Sequence, residues 1–150
     1  MFFTAVRLFG RFQAMRDNAA MKNLLPKETW ALLQQQPRAL FVDVRMEIES
    51  LYVGRPPGVH TVAWYESPDL TPDPPAFVRK IEREAGDKTR TIILICRSGK
   101  RSVDAGLALE KAGFTDVVNV LHGFEGDLDD QFKRSTLNGW RFEGLPWEQM

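Results

Sequence analysis

The residue types that can do covalent chemistry are concentrated in one short stretch of the chain, residues 96–102, which reads Cys-Arg-Ser-Gly-Lys-Arg-Ser. Cys96 is the only cysteine of the protein. It directly follows an apolar run over 91–95, which predicts a buried strand, and a helix is predicted shortly after it, over 102–112. Backbone N–H groups in a tight loop and the positive end of a following helix both favour the thiolate form of such a cysteine. The stretch therefore predicts a nucleophilic thiolate.

The loop after Cys96 also carries three cations, Arg97, Lys100 and Arg101. By residue type alone, a lone cysteine after an apolar strand is more often a small buried side chain without reactivity. Three like charges argue for function instead, because they repel one another and a connection that served folding alone would have no use for them. Gly99 allows the loop to turn with a positive φ. The pattern favours a reactive cysteine that faces an anionic ligand.

The elements that must position this loop alternate between helices and short apolar strands. Strands are predicted over 39–42, 60–64, 91–95 and 117–121, and helices over 26–36, 77–85, 102–112 and 124 to about 134. Strands that are apolar throughout are typical of a parallel sheet that is buried between two helical layers. Ligands of such sheets bind beyond the carboxyl ends of the strands, where Cys96 stands. We therefore expect an α/β fold, with a mostly parallel central sheet and helices on both faces.

We divide the chain into an N-terminal extension, residues 1–22, and one domain, residues 23–150. The extension has four basic residues against Asp17 alone, interspersed with phenylalanines, and would be amphipathic as a helix. Contact with a membrane surface or import into an organelle is compatible with this composition. A loosely docked terminal helix, or an extension before an internal start codon, is the simpler interpretation.

The composition argues against several classes of site. The 150 residues include 20 Lys and Arg and 20 Asp and Glu, so no strongly basic nucleic-acid surface is indicated. One cysteine rules out a disulfide framework and a multi-cysteine zinc site, and two histidines give little support for a histidine metal site. Gly99-Lys100 is not the end of a nucleotide phosphate loop, because Arg101 stands where that motif needs Ser or Thr. We therefore expect no metal, no cofactor and no nucleic-acid partner.

Several segments of the chain, in their order along it, match one known family. Beside the loop 96–102, they are Asp43-Val44-Arg45, Gly54 with Pro57-Gly58, Gly123-Phe124 and Gly144-Leu145-Pro146-Trp147. In these segments the sequence resembles the rhodanese-like family, the sulfurtransferase domains, from about Leu25 to Trp147. The loop is the specific match, and the other segments are individually weak. The resemblance implies a single rhodanese-like domain.

The resemblance also implies an enzyme, a sulfurtransferase of the rhodanese type. The Cys96 thiolate would attack the outer sulfur of a small anionic donor such as thiosulfate, and a cysteine persulfide would form as sulfite leaves. A thiophilic acceptor, such as cyanide, a thiol or a partner protein, would then take the sulfur. The lack of a second cysteine is consistent with this route. No other thiol of the same chain could attack the persulfide and form a disulfide with Cys96.

The resemblance gives the other site residues binding and supporting roles. Backbone N–H groups of residues 97–101 would hold the anionic persulfide, and the three cations would attract the donor. The loop residues assigned to substrate and persulfide binding are Arg97, Ser98, Gly99, Lys100, Arg101 and Ser102. Asp43 is expected in a structural ion pair near the loop, and Arg45 as a more open group that contacts substrate or loop. The polar segment Asp127–Asn138 could shape an acceptor or partner surface, and the simpler interpretation is a solvated helix face.

Two other functions stay open at this point. One is a phosphatase or an arsenate reductase. Dual-specificity phosphatases of the cell-cycle type share this fold, and their motif is a cysteine, five further residues and then an arginine. Here that position holds Ser102, and Arg101 comes one residue earlier, which disfavours the bidentate phosphate clamp. A persulfide carrier or binding module for a dedicated partner would keep the same loop, and high cyanide-dependent turnover would favour the enzyme. A free reactive cysteine and the lack of a convincing secretory signal favour the reducing cytoplasm.

Overall fold

The centre of the protein is a five-stranded sheet in which every strand is parallel to its neighbours. The computed structural model describes residues 20–150, so the predicted N-terminal extension, apart from its last three residues, lies outside the described part. The strand order is β1-β5-β4-β2-β3. The strands are β1 Lys22–Leu24, β2 Leu40–Asp43, β3 His60–Thr61, β4 Ile92–Ile95 and β5 Val117–Val120. The predicted parallel α/β architecture is confirmed.

The helices begin and end where the sequence supplies local signals. They are α1 Pro26–Gln35, α2 Pro74–Ala85 and α3 Arg101–Lys111, with a π-helical turn at Glu49–Val53. Helix α2 begins with a proline whose missing N–H costs nothing there, and the Asp73 side chain accepts the N–H of Ala76 at 3.1 Å. It ends at Gly86, which adopts a φ of 72°. None of the helices described within residues 20–150 has the length and apolar character needed to cross a membrane.

Two cores lie on opposite faces of the sheet, because side chains alternate along each strand. Val42 and Leu94 point to the face that α2 and α3 cover, and Cys96 belongs to that core. Phe41 and Ile95 point to the other face, where they meet α1 and the C-terminal segment with its buried Trp140. Burial of each such side chain stabilises the fold by about 1.5–3 kcal/mol. The central strands are thus fixed from both sides, and Cys96 is held at the end of the most buried strand.

The segment after β5 differs from its prediction. The helix predicted from residue 124 to about 134 is wrong, since residues 121–150 form turns and irregular structure. Gly126 adopts a φ of 77°, and the Asp129 carboxylate accepts the N–H groups of Gln131 at 2.8 Å and Lys133 at 2.9 Å. These bonds compete with helical hydrogen bonds for the same backbone donors. The interpretation of 127–138 as a helix face is therefore wrong as well.

Three further features near the sheet were not anticipated. Strand β3 pairs only at His60–Thr61, shorter than the predicted 60–64. Strand β1 begins at Lys22, and it is too short and too polar to give a strand pattern. The π-helical turn at 49–53 likewise has no sequence signature of its own.

Candidate active site

Cys96 lies at the carboxyl end of β4, and 1% of its surface is exposed. The N–H of Gly99 donates to its sulfur at 3.0 Å, and the Ser102 hydroxyl lies 3.2 Å from the same sulfur. Gly99 has a φ of 101°, which turns the loop back over the cysteine. The loop therefore surrounds the sulfur with hydrogen-bonding groups while the strand fixes its position.

The rest of the loop has backbone N–H groups that are available to a ligand. Within residues 20–150, the N–H groups of Arg97, Ser98 and Lys100 donate to no protein acceptor. Helix α3 begins at Arg101, directly after the loop, so its positive end adds to the field of these groups. Successive unpaired N–H groups at the start of a helix form an anion-binding concavity. This arrangement can stabilise negative charge on the sulfur or on a group attached to it.

A turn after β5 supports the loop from behind. The N–H of Phe124 donates to the Cys96 carbonyl at 2.8 Å, and the N–H of Glu125 donates to the Arg97 carbonyl at 2.9 Å. Gly123, between them and the strand, has a φ of 64°, and a Cβ there would overlap the Cys96 carbonyl oxygen. This close approach explains why a glycine is needed at 123, the first residue of the Gly-Phe pair that the sequence singled out.

Asp43 and Arg45 form an ion pair in which both side chains are fully buried. Arg45 Nη2 lies 2.7 Å from Asp43 Oδ2, and Arg45 also donates to the Gly54 carbonyl at 2.6 Å. The guanidinium carbon is 4.7 Å from the ring centre of Phe124. The expectation that Arg45 is an open group is wrong, because its surface is entirely covered. The pair sits beneath the residue that anchors the Cys96 carbonyl, so it supports the loop from inside the fold.

Arg101 is held by a second carboxylate that the sequence did not single out. Its two terminal nitrogens donate to the two oxygens of Glu49 at 2.7 and 2.9 Å. The guanidinium carbon lies 5.3 Å from the ring centre of Tyr65, and 13% of each charged side chain is exposed. No sequence signal could have identified Glu49, because it is one of several glutamates in the chain and lies 52 residues from its partner.

The electrostatics of this pair are set by mutual contact. Burial raises the pKa of Glu49, but the hydrogen bonds and charge of Arg101 outweigh burial and leave that pKa below its ordinary value. Burial alone would lower the pKa of Arg101, and Glu49, with smaller contributions from Tyr65 and Cys96, raises it well above the ordinary value. Both groups are therefore charged at neutral pH, and Arg101 is not a free cation.

The remaining predicted loop residues differ in burial. Arg97 and Lys100 are exposed, and Ser98 is half-buried. Ser102 is fully buried in the first turn of α3, where its hydroxyl faces the sulfur. Among the residues that the structure describes, no group of three His, Cys, Asp or Glu side chains is placed to hold a metal ion. The structure thus brings Gly99 and Ser102 to the sulfur directly.

Comparison with known proteins identifies the family. The rhodanese-like domain family model matches residues 25–129. Among solved structures, the crystal structure of Rv0390 from M. tuberculosis is 38% identical to this chain with a TM-score of 0.75. The alignment covers 86% of this chain and 98% of that one. It is 28% identical to an uncharacterised protein of Rickettsia conorii, over 86% of this chain and 98% of the relative.

A third likeness concerns the fold alone. The homodimeric polysulfide-sulfur transferase of Wolinella succinogenes is 23% identical with a TM-score of 0.57, and the alignment covers 94% of this chain and 89% of that one. The family match spans most of the chain and includes both Cys96 and the Asp43–Arg45 pair. The sheet order, the cysteine loop and this match agree, and the chain belongs to the rhodanese-like domain family.

Proposed function

We propose that the protein is a sulfurtransferase that accepts a sulfane sulfur on Cys96 and passes it to a thiophilic acceptor. One observation carries this proposal: the Cys96 sulfur lies inside a loop whose Gly99 N–H already donates to it at 3.0 Å, with further unpaired N–H groups beside it. An anion attached to the sulfur would be stabilised there by donors that need no reorganisation. Membership of the rhodanese-like family supports the same class of reaction.

The proposed reaction has two displacement steps. The Cys96 thiolate attacks the outer sulfur of thiosulfate, the bond between the two thiosulfate sulfurs breaks, and its electron pair leaves with sulfite. The enzyme then holds a cysteine persulfide, whose terminal charge faces the loop donors. A nucleophilic acceptor, cyanide or a thiolate, attacks the outer sulfur and the Cys96 thiolate leaves. Atoms and charge balance in each step, and no cofactor takes part.

The Glu49–Arg101 pair argues against phosphoryl chemistry at this site. A phosphate clamp needs both nitrogens of an arginine fork, and here both donate to the Glu49 carboxylate. We call the partly exposed region of Glu49, Tyr65 and Arg101 the mouth of the site, and we assign Arg101 a positioning role there. The exposed Arg97 and Lys100, together with the loop N–H groups, would attract the anionic donor.

A persulfide carrier for a dedicated protein acceptor is the second candidate. One observation favours it: Phe132 is 83% exposed at the tip of a closed loop whose root, Glu125 and Gly126, is bonded to the Arg97 carbonyl. An exposed aromatic side chain on a loop that is rooted next to the cysteine loop suits recognition of a protein. In either case we propose the reducing cytoplasm as the compartment, because a lone reactive thiol stays reduced there.

The test is the intact mass of the purified protein after incubation with thiosulfate, with Cys96→Ala treated alongside. We expect the wild type to gain one sulfur atom that cyanide removes, and the variant to gain none. The Cys96→Ala variant should keep its melting temperature within a few degrees, because one small buried side chain replaces another. Sulfur gained equally by both proteins would overturn the assignment of Cys96. Rapid cyanide-dependent turnover would favour the enzyme, and a stable persulfide with slow turnover would favour the carrier.

A further inference from the structure

A chain of hydrogen bonds leads from the Cys96 sulfur to the edge of the sheet. The Ser102 hydroxyl lies 3.2 Å from the sulfur and donates to Asn119 Oδ1 at 2.6 Å. Asn119 Nδ2 in turn donates to Asn23 Oδ1 at 3.0 Å. Ser102 and Asn119 are buried, whereas Asn23 is exposed on the edge strand β1. Neither asparagine belongs to the cysteine loop, and none of the proposed reaction steps uses them.

The direction of this chain depends on the charge of the sulfur. A serine hydroxyl has one proton, and here Ser102 gives it to Asn119. Ser102 can then only accept a hydrogen bond from Cys96, so the observed direction fits the neutral thiol. A thiolate has no proton to donate and needs the Ser102 proton for itself. Asn119 at present competes with the sulfur for that proton.

The chain can be reversed without loss of a hydrogen bond. If the Asn119 carboxamide turns by half a rotation, its NH₂ group donates to Ser102, and the Ser102 proton is free to serve the sulfur. The two ends of a carboxamide are nearly equal in size, so the turn needs little space. Asn23 must turn as well, and because it is exposed, water can satisfy either of its ends. An amide at 119 permits both directions, whereas a carboxylate there would accept only.

We propose that Ser102 and Asn119 are positioning residues that set the ionisation of Cys96 through a reversible hydrogen-bond chain, with one direction for the thiol and the other for the thiolate or persulfide. The inference deepens the proposed function, because it concerns the nucleophile of that reaction. The charge of Arg101 interacts with Cys96, and Arg101 contacts Glu49 and Tyr65. The turn that packs against Gly99 contains the titratable His122. Arg97 and Lys100 lie exposed on the loop itself.

The experiment measures the rate of Cys96 alkylation by iodoacetamide as a function of pH, which reads the thiolate without any sulfur donor. Ser102→Ala removes the donor to the thiolate, and we expect the midpoint of the profile to rise by about 1 pH unit, a tenfold loss of thiolate below the midpoint. Ser102→Thr keeps a hydroxyl and should restore the midpoint. Asn23→Ala should move it by less than about 0.3 units, because water replaces an exposed amide.

Substitutions at Asn119 separate the two directions of the chain. Asn119→Asp can only accept from Ser102, so the midpoint should rise by about 1 unit or more. Asn119→Leu can neither accept from Ser102 nor donate to it, so the thiol and thiolate forms lose the same bond and the midpoint should move by less than half as much. An equal rise in the two variants would overturn the proposal, because the direction of the bond would then not matter. If the buried charge of Asn119→Asp prevents folding, Ser102→Ala still decides the matter through the presence or absence of its shift.

A double variant shows whether Asn119 acts through Ser102. In the Ser102→Ala background, the shift caused by a substitution at Asn119 should shrink to less than half of its value in the wild type. An unchanged shift in that background would overturn the proposal, as would an unmoved midpoint in Ser102→Ala. Alkylation needs no thiosulfate, so this experiment decides the role of Ser102 and Asn119 even if the protein gains no sulfur from thiosulfate. A failure of the proposed function can therefore be distinguished from a failure of this inference.

Discussion

Two arginine–carboxylate pairs support the cysteine loop. They differ in burial and in the distance along the sequence between the two partners. Asp43 and Arg45 are two residues apart in sequence and fully buried. Glu49 and Arg101 are 52 residues apart and partly open to solvent beside Tyr65. The chemistry of the two contacts is the same, but the surroundings are not. The first pair can affect the site only through the fold, whereas the second can change the charge that an incoming anion meets.

This difference has a simple consequence for substitutions. In the buried pair, removal of either partner leaves an uncompensated charge in the interior, so both changes should act with the same sign on stability. In the pair at the mouth, removal of one partner exposes a positive charge and removal of the other a negative one. The two changes should then act with opposite signs on the binding of an anionic donor. The predictions below test that contrast.

The largest effect is expected from Arg45→Leu. It leaves the Asp43 carboxylate buried without its cation and leaves the Gly54 carbonyl without its donor. The free energy of unfolding should fall by about 3–5 kcal/mol, which urea denaturation measures. The control is the double variant Asp43→Asn with Arg45→Leu, which removes the orphan charge and should recover part of the loss. A loss below about 1 kcal/mol for the single change would show that the pair does not stabilise the fold.

The next effect is expected from Arg101→Gln. It removes the positive partner and leaves the Glu49 carboxylate facing the mouth of the site. kcat/KM for thiosulfate should fall by about tenfold, because the unpaired carboxylate repels the dianionic donor. Steady-state kinetics measure this, and the loss should lie mainly in KM. If Arg101→Gln instead lowers the KM for thiosulfate, the electrostatic account of this pair is wrong.

Glu49→Gln should act in the other direction, with a smaller effect. It leaves Arg101 without its carboxylate, so the KM for thiosulfate should decrease by about threefold, since a solvent-accessible charge is partly screened. Glu49→Asp serves as the matched control, because it keeps the charge. A rise in KM for Glu49→Gln would mean that the carboxylate matters through the position of Arg101 and not through its charge.

The same variant tests the pH dependence of stability. The pKa of Glu49 lies below its ordinary value of 4.5, so its stabilising contribution is complete above that pH and disappears as the pH falls through the lowered pKa. Wild type should therefore lose its stability advantage over Glu49→Gln in acid. Denaturation curves at neutral pH and at several pH values below 4.5 measure this. An advantage that persists undiminished in strong acid would contradict the lowered pKa.

The smallest effects belong to the two exposed loop cations. Arg97→Gln and Lys100→Gln should each raise the KM for thiosulfate by about twofold at low ionic strength, because exposed charges contribute weakly. About 0.5 M salt should abolish the difference from wild type. A tenfold effect that survives salt would show that one of these side chains touches the donor directly.

The sequence predicted those parts of the fold that have a local pattern. The apolar runs gave β2, β4 and β5 to within about a residue at each end, and glycine marked the end of α2. Helix α2 begins at Pro74, three residues before its predicted start. Strand β1 was missed because Lys22–Leu24 is short and polar, and it exists only because β5 offers it an edge. The helix predicted after Phe124 failed because positive-φ glycines and the Asp129 side chain divert the backbone.

By itself, the sequence determined where the candidate nucleophile stands: a single cysteine between an apolar strand and a helix, in a loop of glycine and cations. Neighbours along the chain encode that arrangement, so it can be read without knowing the fold. Only the tertiary structure decided the partners of the loop. Glu49 reaches Arg101 across 52 residues, and Asn119 reaches Asn23 across 96. Such contacts follow from the order of the strands, which places β5 between β1 and β4 and which no local pattern specifies.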